Sequence, residues 1–242
     1  MSRRGSWRPV FDDKSRFVDR FGMLLLLTIL TICILSLVDM TEVASKPMAR
    51  FGTLVASFLV GATLLLALRS SGLAQRWRRI ADVVVIVGLS GLTLLSLAAT
   101  WNERLYNPLP APVMIVVLAA LAPVVIIRRL ITHRVVTLGT LLGAIAGYLL
   151  ISVAFFYAFL LATELQGGSF FGHPLPTTNY MYFSLVTITT VGYGDLVPTA
   201  NVDRLLANAE MVIGQVYLVT FVAMIVGLYA SQRRNGDDGP AL

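Results

Sequence analysis

Charge and cysteine are both scarce in this chain. Asp, Glu, Lys and Arg make up 13% of its 242 residues, against about 25% in an average soluble domain. The single cysteine, Cys33, excludes an intrachain disulfide and any multi-cysteine metal cluster. No paired acid and base, and no nucleophile with a partner, stands at a plausible site, which argues against an enzyme. The net charge is +6, but the basic residues lie scattered between apolar runs and form no patch for a nucleic acid. Long polar stretches are missing too: the first twenty residues and the tail 231–242 are each too short for a ligand-binding domain. Hydrophobic residues fill the space instead, at 57% of the chain, and the mean hydropathy is +0.79. They cluster in six uncharged runs, 21–38, 51–68, 83–102, 105–127, 135–163 and 211–232. Each is close to or above the ~18 apolar residues that cross a bilayer core of ~30 Å.

The charges between the runs give an orientation. Fifteen of the 19 basic residues precede the first run, follow the last, or lie between the second and third or the fourth and fifth. Lys46, Arg50, Arg104 and Arg204 fall on the other side. Cytoplasmic loops carry the excess of Lys and Arg, so the pattern predicts six spanning helices with both termini in the cytoplasm. The first run exceeds the usual 7–15-residue core of a signal peptide, and it reads as a retained anchor rather than a cleaved leader. Trp7, Phe11 and Phe17 among the leading basic residues fit either a solvated leader or a segment on the inner leaflet surface. The tail reads as polar and disordered.

The segment between the fifth and sixth runs is neither a long helix nor an ordinary loop. Residues 164–176 contain Gly167, Gly168, Gly172, Pro174 and Pro176, the composition of an extracellular loop. Thr177, Thr178 and Asn179 offer helix N-caps, and 180–189 then suits a helix of about three turns, too short to span. Thr190-Val191-Gly192-Tyr193-Gly194-Asp195 follows, where two glycines flanking a tyrosine break any helix. Irregular backbone at membrane depth survives only when buried in protein or lining water. The spacing therefore predicts a re-entrant loop that enters and leaves on the extracellular side.

Thr187-Ile188-Thr189-Thr190-Val191-Gly192-Tyr193-Gly194-Asp195 resembles the potassium-channel selectivity filter, T-x-x-T-x-G-Y-G-D, at all six fixed positions. The resemblance implies that backbone carbonyls of Thr190, Val191, Gly192 and Tyr193 replace the water around a potassium ion, with Gly192 and Gly194 permitting left-handed angles. It implies four such loops around one axis, hence a homotetramer from a chain with one filter. Thr187, Tyr182, Phe183, Asp195 and Glu210 become filter-support candidates. Tyr182, Phe183 and Tyr193 resemble the aromatic belt of such filters, against the plainer reading of interfacial aromatics. Glu210 is either a hydrogen-bonding group behind the filter or the partner of Arg204 near the outer interface.

The last helix, about 202–230, corresponds to the inner helix of such channels. Gly214 matches the offset of their hinge glycine, but it equally suits close helix packing. Gln215, Leu218, Val222 and Val226 recur at helical spacing and are the cavity-facing candidates. In the fifth run, Gly139, Gly143 and Gly147 form a small-residue stripe for close packing on the inner helix or on a neighbouring subunit.

The first four runs resemble more loosely the voltage-sensor bundle of six-helix potassium channels. Arg69, and Asp82 after Arg78 and Arg79, fit that layout, whereas the fourth run departs from it: it holds no arginine, and Pro112 and Pro123 interrupt it. Arg128 and Arg129 lie only at its end, and His133 reads as solvated. The expected organisation is a cytoplasmic segment 1–20, a four-helix voltage-sensor-like bundle 21–132, a pore domain 135–230 and a cytoplasmic tail 231–242. The expected protein is an all-α, six-helix potassium-selective channel of a bacterial inner membrane. It is not steeply voltage-gated and takes no cofactor beyond the permeant ions. The alternatives are a potassium uptake transporter subunit and a non-conducting membrane scaffold or accessory subunit.

Overall fold

The computed structural model describes residues 12–37, 58, 61–63, 65, 83, 90–91, 110–132 and 136–237. The second and third apolar runs lie largely outside these residues, as do Arg69, Asp82 and His133. Among the described residues the fold is all helical. It consists of α1 (Asp12–Leu37), α2 (Pro110–Thr132), α3 (Leu138–Gln166), α4 (Thr177–Ile188) and α5 (Asn201–Val216). A π-helical segment (Tyr217–Val222) then leads into α6 (Ala223–Asp237).

Helix α3 is the hub, packing against α1, α2, α4, α5, the π segment and α6. Its ends are well specified. Thr137 and Thr140 form a reciprocal capping box, and Gly167 closes the helix at φ 59°, donating its N–H to Glu164 O. Glycine spacing settles its neighbours. A Cβ at Gly143 would stand 2.7 Å from a Phe21 ring carbon, and one at Gly147 would stand 2.5 Å from the Tyr217 hydroxyl. The stripe thus seats α1 on one turn and the last helix on the next.

Among the described residues, two helices meet the length and apolarity of a membrane span, Leu138–Gln166 and Asn201–Gln232. Helix α2 runs unbroken through Pro123, so this proline does not interrupt the fourth run as expected; Pro110 and Pro112 sit in the first turn, where no N–H is needed. The last helix continues to Asp237, so residues 231–237 are helical rather than disordered. Helix α1 begins at Asp12, inside the expected leader.

Aromatic packing fixes the top of α3. Phe159, Phe170, Phe171, Tyr180 and Phe183 form one buried cluster, with Phe159–Phe170 centroids 4.9 Å apart and Phe170–Phe171 centroids also 4.9 Å apart. Phe170 and Phe171 come from the loop before α4, so this loop is anchored from within. Thr199 N donates to Phe170 O at 3.0 Å and joins the loops on either side of α4.

A candidate ion-conduction site

Helix α4 ends where the glycine-rich segment begins, and its last carbonyls are all used. Thr189 N donates to Leu185 O (3.1 Å), Val191 N and Gly192 N donate to Val186 O (3.0 and 3.3 Å), and Thr190 N donates to Thr187 O (3.0 Å). The hydroxyl of Tyr148, reaching across from α3, donates to Ile188 O at 2.7 Å. The carbonyls that a helix leaves unpaired at its C-terminus are thus satisfied by the segment that follows and by one tyrosine. The N–H groups of residues 190, 191 and 192 are spent on this turn, which leaves their own carbonyls outside it.

Backbone hand alternates along the same stretch. Thr190, Gly192 and Gly194 have φ of 59°, 57° and 79°, while Val191 and Tyr193 between them do not take positive φ. Glycine adopts such angles without a Cβ clash, but a β-branched threonine does so at a cost of ~1–2 kcal/mol. Thr190 therefore holds a strained conformation beside two glycines that need no strain. The segment is open: Val191 is 52% and Tyr193 70% exposed in the single chain.

Behind it lies a cavity of about 450 Å³ lined by residues including Tyr182, Thr187, Gly192, Asp195, Asn208 and Met211. Tyr182 stacks on Tyr193 with centroids 6.4 Å apart and planes 4° from parallel. Its hydroxyl donates to Asp195 Oδ2 at 2.9 Å. Asp195 thereby tethers the end of the segment back to the helix that starts it.

The remaining predicted residues separate into groups. Thr187 is buried and accepts from Thr190 through its carbonyl. Phe183 lines the same cavity as Tyr182, and its ring also packs into the aromatic cluster, 5.4 Å from Phe159 between centroids. Thr177, Thr178 and Asn179 are not N-caps; the cap position of α4 is Pro176, with no side-chain cap bond. Glu210 does not pair with Arg204: its partner is Ser184, while Arg204 Nε donates to Pro198 O at 3.0 Å. Gly214 is a packing position, since a Cβ there would meet Ile188 Cγ1 at 2.5 Å. Gln215, Leu218 and Val226 are exposed in the single chain, whereas Val222 is half-buried against the core. The π segment explains the mismatch, because the spacing of the four residues assumed an uninterrupted α-helix.

Ser184 and Tyr148 are functional candidates that the sequence reading passed over. Ser184 is a buried hydroxyl one turn before Thr187 on the buried face of α4. Among the described residues, no group of three or more His, Cys, Asp or Glu could hold a metal ion.

Residues 135–230 match the profile of a protein family described as "Ion channel". Among curated proteins, the two pore potassium channel a of Oryza sativa subsp. japonica is 38% identical over 78 residues, 32% of this chain and 21% of that protein. Two-pore potassium channel 1 of Arabidopsis thaliana is 42% identical over 72 residues, 30% of this chain and 18% of that protein. The chain thus spans about a fifth of the length of these relatives. No solved structure matches it significantly. Over residues 135–230 the chain is thus similar to an ion-channel family, and over 72 to 78 of its residues to potassium channels.

Proposed function

We propose that the protein is a potassium-selective channel in which four copies of this chain surround one ion path. The observation that supports this best is the backbone of residues 190–194, left-handed at alternate positions with its first N–H groups spent on α4. A potassium ion that sheds its water needs oxygen ligands at several levels. Alternating backbone hand lets successive carbonyls of Thr190, Val191, Gly192 and Tyr193 serve one track, and the Thr190 hydroxyl adds ligands at its inner end. No acidic side chain lies within 190–194, so dipoles rather than full charges hold the ion, weakly enough for it to move on. The C-terminal end of α4 adds a partial negative charge at the inner side.

One chain supplies one such strand, and a ring of carbonyls needs several. The exposed faces of Val191, Tyr193 and the last helix are then surfaces facing the axis and the neighbouring copies. Helix α3 serves as the outer helix and the last helix as the inner one, with Gln215, Leu218 and Val226 toward the cavity. The domain limits are 21–132 for a silent bundle and 135–230 for the pore, in a bacterial inner membrane with both termini cytoplasmic. The ions that pass are the only cofactor-like species.

Purified full-length protein in liposomes tests the reading. Potassium efflux is expected to exceed sodium efflux strongly, with a reversal potential that follows the potassium gradient. Equal permeation of both ions, or no flux from correctly inserted protein, would overturn it.

A further inference from the structure

Three helices meet at one buried hydroxyl behind the filter segment. Ser184 Oγ on α4 lies 2.8 Å from the carbonyl oxygen of Ser152 on α3 and 2.5 Å from Oε1 of Glu210 on α5. Ser184, Ser152 and Glu210 are all fully buried. The second carboxyl oxygen, Oε2, has no hydrogen-bond partner among the described residues.

A serine hydroxyl has one proton to give. A backbone carbonyl only accepts, and so does an ionised carboxylate. Ser184 cannot serve both neighbours with a single proton, so this cluster is one proton short if Glu210 is ionised. A proton on Glu210 completes it: the acid donates to Ser184, and Ser184 donates to Ser152 O. Among the described residues, the neighbours offer no other compensation. Arg204, on the same helix, spends its Nε on Pro198 O and is exposed. Asp203 is itself an acid, bonded by Gln166 Nε2 at 2.6 Å. Tyr148 from α3 spends its proton on Ile188 O. A lone carboxylate out of water with no cation costs several kcal/mol, and such groups are found neutral instead.

We propose that Glu210 stands as a neutral carboxylic acid and drives a one-way hydrogen-bond relay, Glu210 to Ser184 to Ser152 O, that positions the filter-bearing α4 between α3 and α5. Glu210 is thus a positioning residue for conduction, a role that rests on the channel reading; its protonation does not. The relay places no full negative charge behind the filter, so ion selectivity owes nothing to a Glu210 charge. An amide of the same shape carries the relay as well, because its Nε2 donates to Ser184 where the acid did.

Two measurements on the full-length protein in lipid decide this. The first is infrared spectroscopy with glutamate labelled by ¹³C at the side-chain carboxyl. With four glutamates in the chain, Glu42, Glu103, Glu164 and Glu210, the spectrum is tractable. A protonated C=O band that shifts with the label, moves in Ser184→Ala and vanishes in Glu210→Gln is the expected result. The second is flux. Glu210→Gln is expected to keep its potassium-to-sodium ratio within about twofold of wild type, and Ser184→Ala to lose about tenfold in potassium flux, the equivalent of one buried bond. Only an ionised carboxylate signal at Glu210, a tenfold loss of selectivity in Glu210→Gln, or failure of that variant to assemble overturns the proposal. A wild-type protein that passes no potassium defeats the channel reading instead, and the infrared band still decides the proton.

Discussion

A methyl group added at Gly147 would sit 2.5 Å from the Tyr217 hydroxyl oxygen and 3.4 Å from its ring carbon Cζ. The hydroxyl cannot swing away freely, because it donates to Ala144 O at 2.8 Å, one turn before Gly147 on α3. Gly147→Ala therefore forces a choice between a steric shift, which costs about 1–3 kcal/mol, and loss of a buried hydrogen bond worth about 1 kcal/mol. Replacing glycine by alanine inside a helix returns up to about 1 kcal/mol. The net expectation is a loss of up to about 2 kcal/mol. Tyr217→Phe removes the offending atom and by itself costs about 1 kcal/mol for the bond. In that background the nearest atom to the new Cβ is at ordinary contact distance, so the same alanine becomes neutral or stabilising by up to about 1 kcal/mol. The sign of one substitution thus reverses with a single oxygen. Unfolding of the four proteins in mild detergent, read as a double-mutant cycle, measures the coupling. An equal cost of Gly147→Ala in both backgrounds would refute the close approach of α3 to the last helix at this turn.

Gly192→Ala is expected to abolish potassium flux in liposomes without preventing assembly, since the position holds φ 57° with open space around it; retained current would contradict the backbone argument. Gly214→Ala should destabilise the protein by about 1–3 kcal/mol through its contact with buried Ile188, and a variant that unfolds as wild type while shifting open probability would restore the hinge. Particle mass in mild detergent should be about four times 26.3 kDa, and a conducting monomer or dimer would defeat the assembly. Open probability should depend weakly on voltage: each charge crossing the field contributes about 2.3 kcal/mol per 100 mV, and residues 105–127 carry no arginine. A steep conductance–voltage curve that flattens in Arg128→Gln and Arg129→Gln would show that these two carry gating charge.

Features whose chemistry is written in residue type were legible beforehand. Gly192 and Gly194 announce left-handed backbone, because few other residues tolerate it, and both take it. The short helix was legible from its length between the proline-rich loop and the glycines, although it starts at Thr177 and not at Tyr180. Thr190 was not legible as a third left-handed residue, since a β-branched side chain argues against that conformation and only the surrounding bonds impose it. Contacts across distant elements were also hidden. Ser184 and Glu210 are 26 residues apart, and Tyr148 and Ile188 are 40 apart, so no local pattern joins them. Gly214 left two readings open because a hinge and a close packing contact ask for the same missing side chain; the nearness of Ile188 shows the packing contact.

The π segment gives the last helix two phases. Its buried residues run Asp203, Ala207, Glu210 and Gly214 above, then Tyr217, Phe221 and Ile225 through and below it. A π turn accommodates one residue more than an α turn, and one residue is ~100° of rotation about the axis. The upper half is clocked by Gly214 against α4, and the lower half by Tyr217 against α3. Each half thus keeps its own orientation, with the extra residue as the slack between them. Deleting any one residue from the segment would remove that slack. It would turn the π turn into an α turn and leave the stretch that carries Val226 and Gln232 facing as it does now, with Gln232 still accepting from the Val136 N–H at 3.2 Å. A residue inserted outside the segment would instead turn the far half by about a quarter of a circle, so the number of residues in this helix, and not only their identity, decides which side chains its C-terminal half presents.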